Sequence, residues 1–258
     1  MTKTLGVPRP DQASYMLRAA SEDAGRAYKQ RLLDLLDLRP GHTVLDVGCG
    51  PGTDLPALAE RVGPTGRVIG VDQDLAMLAT ARERTAAVST VEIREADAHA
   101  LPVVPGTVDR AKIDRVLMHV RSPADVLAQL RTATRPGALV GLAEPDWDTL
   151  AVDSEDLETS RAFTRYTTEK VVRHATIGRS LARLATQAGF RIEATLATTP
   201  VFTDFDHADH TLGLGRNMQQ AITEGHIDRD RGEAWFTDLA RAPFYASFTL
   251  VTVICSHP

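Results

Sequence analysis

The chain has 258 residues, 34 acidic against 29 basic, for a formal net charge of −5. That balance argues against a surface that tracks a nucleic-acid backbone, which demands a basic stripe, although a global count leaves room for a local basic patch. The two cysteines, Cys49 and Cys255, build neither a disulfide framework nor a metal cluster. No apolar run approaches the roughly 20 residues of a membrane helix, and residues 1–12 hold Pro8 and Pro10 without the apolar core of a signal peptide. The expectation is a cytoplasmic protein with no metal, no nucleic acid and no membrane among its partners.

Residues 13–38 read as helical, with Tyr28, Leu32, Leu35 and Leu36 on one stripe. Arg39-Pro40-Gly41 ends that stretch. A strand over Thr43–Val47 then runs into Gly48-Cys49-Gly50-Pro51-Gly52-Thr53, followed by Leu55, Leu58, Ala59 and Val62 at helical spacing. Three alternating glycines supply positive φ or let a ligand approach the main chain. The free amides of the following helix can meet that ligand, so the turn reads as a nucleotide-type site.

After a turn at 63–66, a second strand spans 67–71 and ends at Asp72. Asp74 caps the next helix, whose inner face holds Leu75, Leu78, Ala81 and the stem of Arg82. Val91 and Ile93 alternate with polar neighbours in a short third strand leading to Ala96-Asp97-Ala98. A fourth strand is expected over 110–117. Ser122-Pro123-Ala124-Asp125 is a helix start, with a capping serine, a first-turn proline and an acid. Residues 138–143 form a nearly continuous apolar run, as in a strand buried on both faces.

This strand–helix alternation predicts a doubly wound, mostly parallel sheet with right-handed crossovers. Beyond 145 the rhythm changes: a polar helix over 154–175, a core pattern near 181–188, a strand over 191–202, a helical stretch over 204–243 and a strand over 244–255. No repeat or low-complexity linker divides the chain. The expected organisation is one domain over 1–258, with an N-terminal helical cap (1–38), a cofactor-binding core (39–145) and cap insertions (146–180 and 204–243).

Two nucleotide ligands compete for the glycine turn. A dinucleotide fingerprint wants G-x-G-x-x-G, but Thr53 stands where the third glycine belongs. Asp46, two residues before Gly48, is unwelcome beside a pyrophosphate and welcome beside a cationic amino or sulfonium group. Asp72 suits ribose hydroxyls in either ligand. Asp97 reads either as the cap of the turn after it or as an acceptor for an adenine amine, with the Ala98 N–H donating to a ring nitrogen.

The residues 44–52, Val-Leu-Asp-Val-Gly-Cys-Gly-Pro-Gly, resemble the first motif of class I S-adenosylmethionine-dependent methyltransferases. Gly70-Val71-Asp72-Gln73-Asp74 resembles their second motif, and Glu95-Ala96-Asp97-Ala98 with Leu101-Pro102 their third. Asp114-Arg115-Val116-Leu117-Met118-His119-Val120 resembles the next. The likeness covers residues 26–145 and is nearest to the quinone and natural-product enzymes. It implies a seven-stranded Rossmann-like sheet whose last strand is antiparallel. It further implies S-adenosyl-L-methionine as cofactor and S-adenosyl-L-homocysteine as product. In that family Gly48, Gly50 and the backbone at Cys49 would shape the methionine pocket, with Asp46 orienting the amino group. Asp72 would take the ribose, Gln73 and Met77 would flank the adenine, Asp97 and Ala98 would read its edge, and backbone at Asp114 would line the sulfonium side. Pro51 departs from the Thr or Ser often found there.

The implied reaction is O- or C-methylation of a small hydrophobic or aromatic metabolite by a monomer or homodimer. A step without methyl transfer, such as a cyclisation, is the alternative. His119, past the fourth strand, is a candidate general base or a structural histidine. Glu144, Asp146, Trp147 and Asp148 are expected at the rim after the fifth strand. There Trp147 could stack on an acceptor, and the acids could be bases or solvated loop residues. Tyr15 and Arg26 belong to the N-terminal cap. His174, Tyr166, His207, His210, Arg216 and Met218 fall in the inserted segments as pocket candidates. Cys49 reads as a small turn residue.

Overall fold

The computed structural model describes residues 23–241 and 243–258. Helix α1 (Asp23–Leu35) leads into β1 (Thr43–Val47), α2 (Leu55–Val62), β2 (Arg67–Asp72), α3 (Leu75–Thr85), β3 (Val91–Glu95), β4 (Val108–Asp114) and α4 (Pro123–Ala133). The chain continues through β5 (Thr134–Val152), α5 (Leu157–Tyr166), a π-helical turn at Thr167–Val171, α6 (Ile177–Gln187), β6 (Arg191–Thr198) and β7 (Val201–Phe202). Helices α7 (Phe205–Leu212), α8 (Leu214–Thr223) and α9 (Arg229–Leu239) precede the closing strand β8 (Ala246–Ser256).

The strand order is β3-β2-β1-β4-β5-β8-β6, with β7 paired to β8 as an eighth strand. Strands β3 to β5 pair in parallel, and β8 runs antiparallel to β5, β6 and β7. The expected doubly wound sheet with its antiparallel last strand is therefore present, lengthened by the two residues of β7. Between β1 and β4 the order switches direction, which opens a crevice at the carboxyl ends of the strands.

Local signals set the element ends as read. The Asp74 carboxylate accepts from the amides of Ala76 and Met77, and Ser122 accepts from Asp125 N–H at 3.3 Å with Pro123 at the first helical position. Gly63, at φ 66°, closes α2. Asp54 occupies the same place before α2 but makes no capping bond, because its carboxylate is drawn to two lysines beneath the sheet edge.

Two strands differ from expectation. β4 stops at Asp114 because Arg115 takes φ 58°, a left-handed value that breaks a strand. β5 runs on to Val152 because β8 supplies a partner along it, with a register break between Asp146 and Ala151. Glu144, Asp146 and Trp147 accordingly lie in a strand, not in a rim loop.

The inserted helices carry a core of their own. Phe163 tilts against Trp235 at 5.2 Å, and Phe205 meets Phe236 edge-on at 5.2 Å and Phe244 at 5.6 Å. This cluster continues onto Tyr28 and Leu32 of α1 and onto Phe248, Leu250 and Ile254 of β8. The late helices and α1 are thereby clamped over one end of the sheet.

Candidate cofactor site at the strand ends

The glycine turn is built as its sequence demands. Gly48, Gly50 and Gly52 take φ of 71°, 52° and 75°. A side chain at Gly48 would come 2.2 Å from the Val116 Cγ2 atom, so glycine is needed for the turn to close on the loop after β4. The amides of Gly48 and Cys49 both donate to the Val71 carbonyl, at 2.7 and 3.0 Å. Cys49 is buried and its thiol is pushed up by burial, which leaves it a packing residue and no nucleophile.

Asp72 bridges β1 and β2. Its Oδ2 accepts from Gly50 N–H at 2.8 Å and its Oδ1 from Asp74 N–H at 3.0 Å. The carboxylate is fixed in orientation, half-buried, and keeps lone pairs for two hydroxyl groups. Met77 is buried and Gln73 is exposed.

At the next strand end, Asp97 Oδ1 accepts from the His99 amide at 2.9 Å and contacts His99 Nδ1 at 2.5 Å. These backbone and side-chain bonds hold the Asp97 carboxyl below its ordinary value. His99 Nε2 accepts from Ser122 N–H at 3.2 Å, so Nδ1 is the nitrogen that carries a proton, facing Asp97. Asp97 is thus both the turn cap and a tethered acceptor with Oδ2 to spare. The neighbouring Ala98 amide donates to none of the described residues. An acceptor beside a free donor is the complement of an adenine edge.

Under the pocket lies a chain of buried charge that the sequence reading missed. Lys112 reaches Asp46 at 3.0 Å and Asp54 at 2.6 Å; Lys29 of α1 reaches Asp54 and Asp114, each at 2.7 Å. The Tyr28 hydroxyl donates to Asp114 at 3.1 Å, and Arg115 lies 3.5 Å from it. Burial opposes every one of these charges. The two ammonium groups overcome it at Asp54, which falls well below the usual carboxylate range, and at Asp114, whereas Asp46 ends above its ordinary value. Asp46 and Asp114 are consequently floor residues engaged with lysines. The available signal was Arg110, Lys112 and Asp114 at alternate positions of a central strand, where one face should be apolar.

Glu144 departs most from expectation. It has no exposed surface, and its carboxyl accepts from the amides of Val116, Leu117 and Met118 at 2.8, 2.5 and 3.4 Å. It holds the loop that presents His119 and does not face the pocket. His119 itself is exposed at the mouth of that loop. Burial of its inner edge, then the Arg115 guanidinium, lowers its pKa, so the imidazole is neutral near pH 7.

On the other side of the loop, His174 Nε2 bonds to the Val120 carbonyl at 3.0 Å and its amide to the Met118 carbonyl at 3.2 Å. Trp147 donates from Nε1 to the Met118 sulfur and stacks on Phe248 at 4.9 Å. Asp146 and Asp148 both pair with Arg179. Tyr166 and Met218 are buried in the core of the inserted helices, Tyr166 bonded to Glu224, and so do not line the crevice. His207 packs edge-on against Phe202, and Arg26 is exposed on α1. Tyr15 lies outside the described residues. Among those residues no three His, Cys, Asp or Glu side chains converge as metal ligands, and no helix is long and apolar enough to cross a membrane.

Comparison with known families matches residues 38–189 to the methyltransferase domain. The chain belongs to the methyltransferase domain family. An uncharacterised 37.1 kDa protein of a Streptomyces fradiae transposon is 48% identical over 245 residues, covering 95% of this chain and 71% of that protein. A demethylmenaquinone methyltransferase of Staphylococcus aureus is 32% identical over 127 residues, 49% of this chain and 53% of the relative, so this methyltransferase spans about half that relative's length. Among solved structures, geranyl diphosphate C-methyltransferase of Streptomyces coelicolor superposes with a TM-score of 0.60 at 17% identity, over 98% of this chain and 86% of that one. The methyltransferase fold and S-adenosylmethionine as its cofactor follow together. The donors and acceptors at the strand ends fit that cofactor: Asp72 for hydroxyls, Asp97 with Ala98 for adenine, and glycine backbone where a methionine moiety meets β1.

Proposed function

We propose that this S-adenosylmethionine-dependent methyltransferase methylates a small, hydrophobic or aromatic metabolite at oxygen or carbon. The observation that carries the cofactor half of this reading is the pairing of the tethered Asp97 carboxylate with the unbonded Ala98 amide, one strand away from the fixed Asp72. Asp72 would hold the ribose, Gln73 and Met77 would flank the base, and the main chain of Gly48, Cys49 and Gly50 would hold the amino-acid end. Asp46 and Asp114 act beneath it, balancing Lys112 and Lys29 so that the floor keeps its shape. S-adenosylmethionine supplies an electrophilic methyl group on its sulfonium.

In-line displacement asks the protein mainly for orientation and exclusion of water. Support for an apolar acceptor comes from Trp147, the half-buried member of a cluster in which it bonds to the Met118 sulfur and stacks on Phe248, itself stacked on Phe202. His119, neutral and exposed in the loop after β4, would take the acceptor proton. Calorimetry with S-adenosylhomocysteine and with NAD tests the cofactor; tighter binding of NAD would sink the reading. Mass spectrometry of acceptors incubated with S-adenosylmethionine tests the transfer. A product altered without the mass of a methyl group would favour cyclisation. In the same assay His119→Asn should slow turnover with S-adenosylhomocysteine affinity nearly intact.

A further inference from the structure

A cleft of about 510 Å³ opens between the amino ends of α4 and α6, on the far side of the loop that carries His119. Its lining includes Arg121, Arg173 and Arg183 together with His174, Ser122 and Ser180, and not one carboxylate. In a chain with more acidic than basic residues, this is a local reversal of sign. Arg121 faces the Asp97 carboxylate electrostatically, but neither Arg173 nor Arg183 pairs with a carboxylate among the described residues, whereas Arg61, Arg67, Arg179 and Arg231 elsewhere on the surface do. Asp97 offsets Arg121 and Asp125 stands in the first turn of α4, so the uncompensated positive charge of the lining is that of Arg173 and Arg183, which repel one another.

The helix ends add to this field. Both helices have 11 residues, and both start in the cleft, so their partial positive ends converge there. Thr176, at the head of α6, makes no side-chain capping bond. His174 cannot supply negative charge either. Its Nε2 faces a carbonyl oxygen, so that nitrogen carries the proton and donates. The cleft therefore presents guanidinium, imidazole and hydroxyl groups, and its lining contains no carboxylate.

We propose that this cleft is an anion site for the phosphate or diphosphate of a small metabolite. Guanidinium forks match phosphate oxygens in pairs, and serine hydroxyls with helix amides complete such a cradle. A cleft of this size holds one such group, not a polynucleotide, and the net charge of the chain opposes the latter. Its place one loop away from His119 makes a phosphorylated acceptor the natural source. In that respect it deepens the methyltransferase reading, although binding of the anion does not rest on it.

Calorimetry with inorganic diphosphate tests the site, on wild type and on the double variant Arg173→Ala with Arg183→Ala. Both arginines are exposed and outside the cofactor crevice, so the fold is not at stake. The expected result is saturable binding that weakens at least about tenfold in the variant, the loss of one or two charge-assisted bonds. S-adenosylhomocysteine affinity should stay the same in both. No saturable binding to wild type, or equal affinity in the variant, overturns the proposal. Failure of S-adenosylhomocysteine to bind counts against the cofactor and leaves the anion site standing. Diphosphate that inhibits methyl transfer competitively with the acceptor marks the phosphate as the acceptor's. Binding without inhibition marks free diphosphate as the ligand, and either supports the site.

Discussion

Glu144 shows what one buried carboxyl can control. Three consecutive amides converge on it, and the loop they belong to begins at Arg115 in a left-handed conformation. Burial pushes this carboxyl from its ordinary 4.5 up to about 8, with the amides pulling the other way. A folded-state pKa above the unfolded one means that the folded protein holds the proton more tightly. The stability contributed by this group is therefore complete below about pH 4.5 and is lost as pH rises through about 8. Urea unfolding should show wild type losing stability relative to Glu144→Gln between about pH 5 and about pH 8.5; midpoints that move in parallel would refute the assignment. Glu144→Ala removes the acceptor outright, and the orphaned amides should cost about 1–3 kcal/mol.

At the scale of elements, the buried ions decide how α1 meets the sheet. Lys29 is on α1, Asp54 heads α2, and Lys112 with Asp114 belongs to β4, so one chain of contacts ties three elements to the floor of the crevice. Such a chain adds little net stability over apolar packing, but breaking it leaves an uncompensated charge. Lys112→Met should destabilise by about 3–5 kcal/mol, read as a fall in the urea midpoint. Adding Asp46→Asn should restore part of the loss by removing one of the stranded charges. A double variant whose effects simply add would show that Asp46 and Lys112 are not coupled. Asp54 illustrates the competition: its position before α2 is that of a helix cap, yet the lysines claim its carboxylate.

The whole molecule couples the crevice to stability. The proposed cofactor contacts come from the ends of β1, β2, β3 and β4, so S-adenosylhomocysteine should bind only the assembled sheet. At a concentration of about one hundred times its dissociation constant, it should stabilise the protein by about 2.7 kcal/mol, which for a chain of this size is roughly 5–10 °C in melting temperature. A melting temperature indifferent to the ligand would contradict a site built from four strands.

The amino-acid sequence by itself determined the order of strands and helices as far as β5, the caps at Asp74 and Ser122, and the positive φ of Gly48, Gly50 and Gly52. These depend on neighbours within a few residues, where sterics and capping chemistry act alone. It also marked the site as belonging to a methyltransferase, because those local motifs come in a fixed order. Tertiary structure alone decided that Asp46 pairs with Lys112, that Glu144 faces amides instead of a substrate, that β5 runs on beside β8, and that three arginines share one cleft. Each of these joins segments far apart in the chain, and a carboxylate or guanidinium has no local signal for the partner it will meet. The candidate cofactor residues could be named from the sequence because they sit in short turns, whereas the acceptor side is assembled from segments that only the fold brings together.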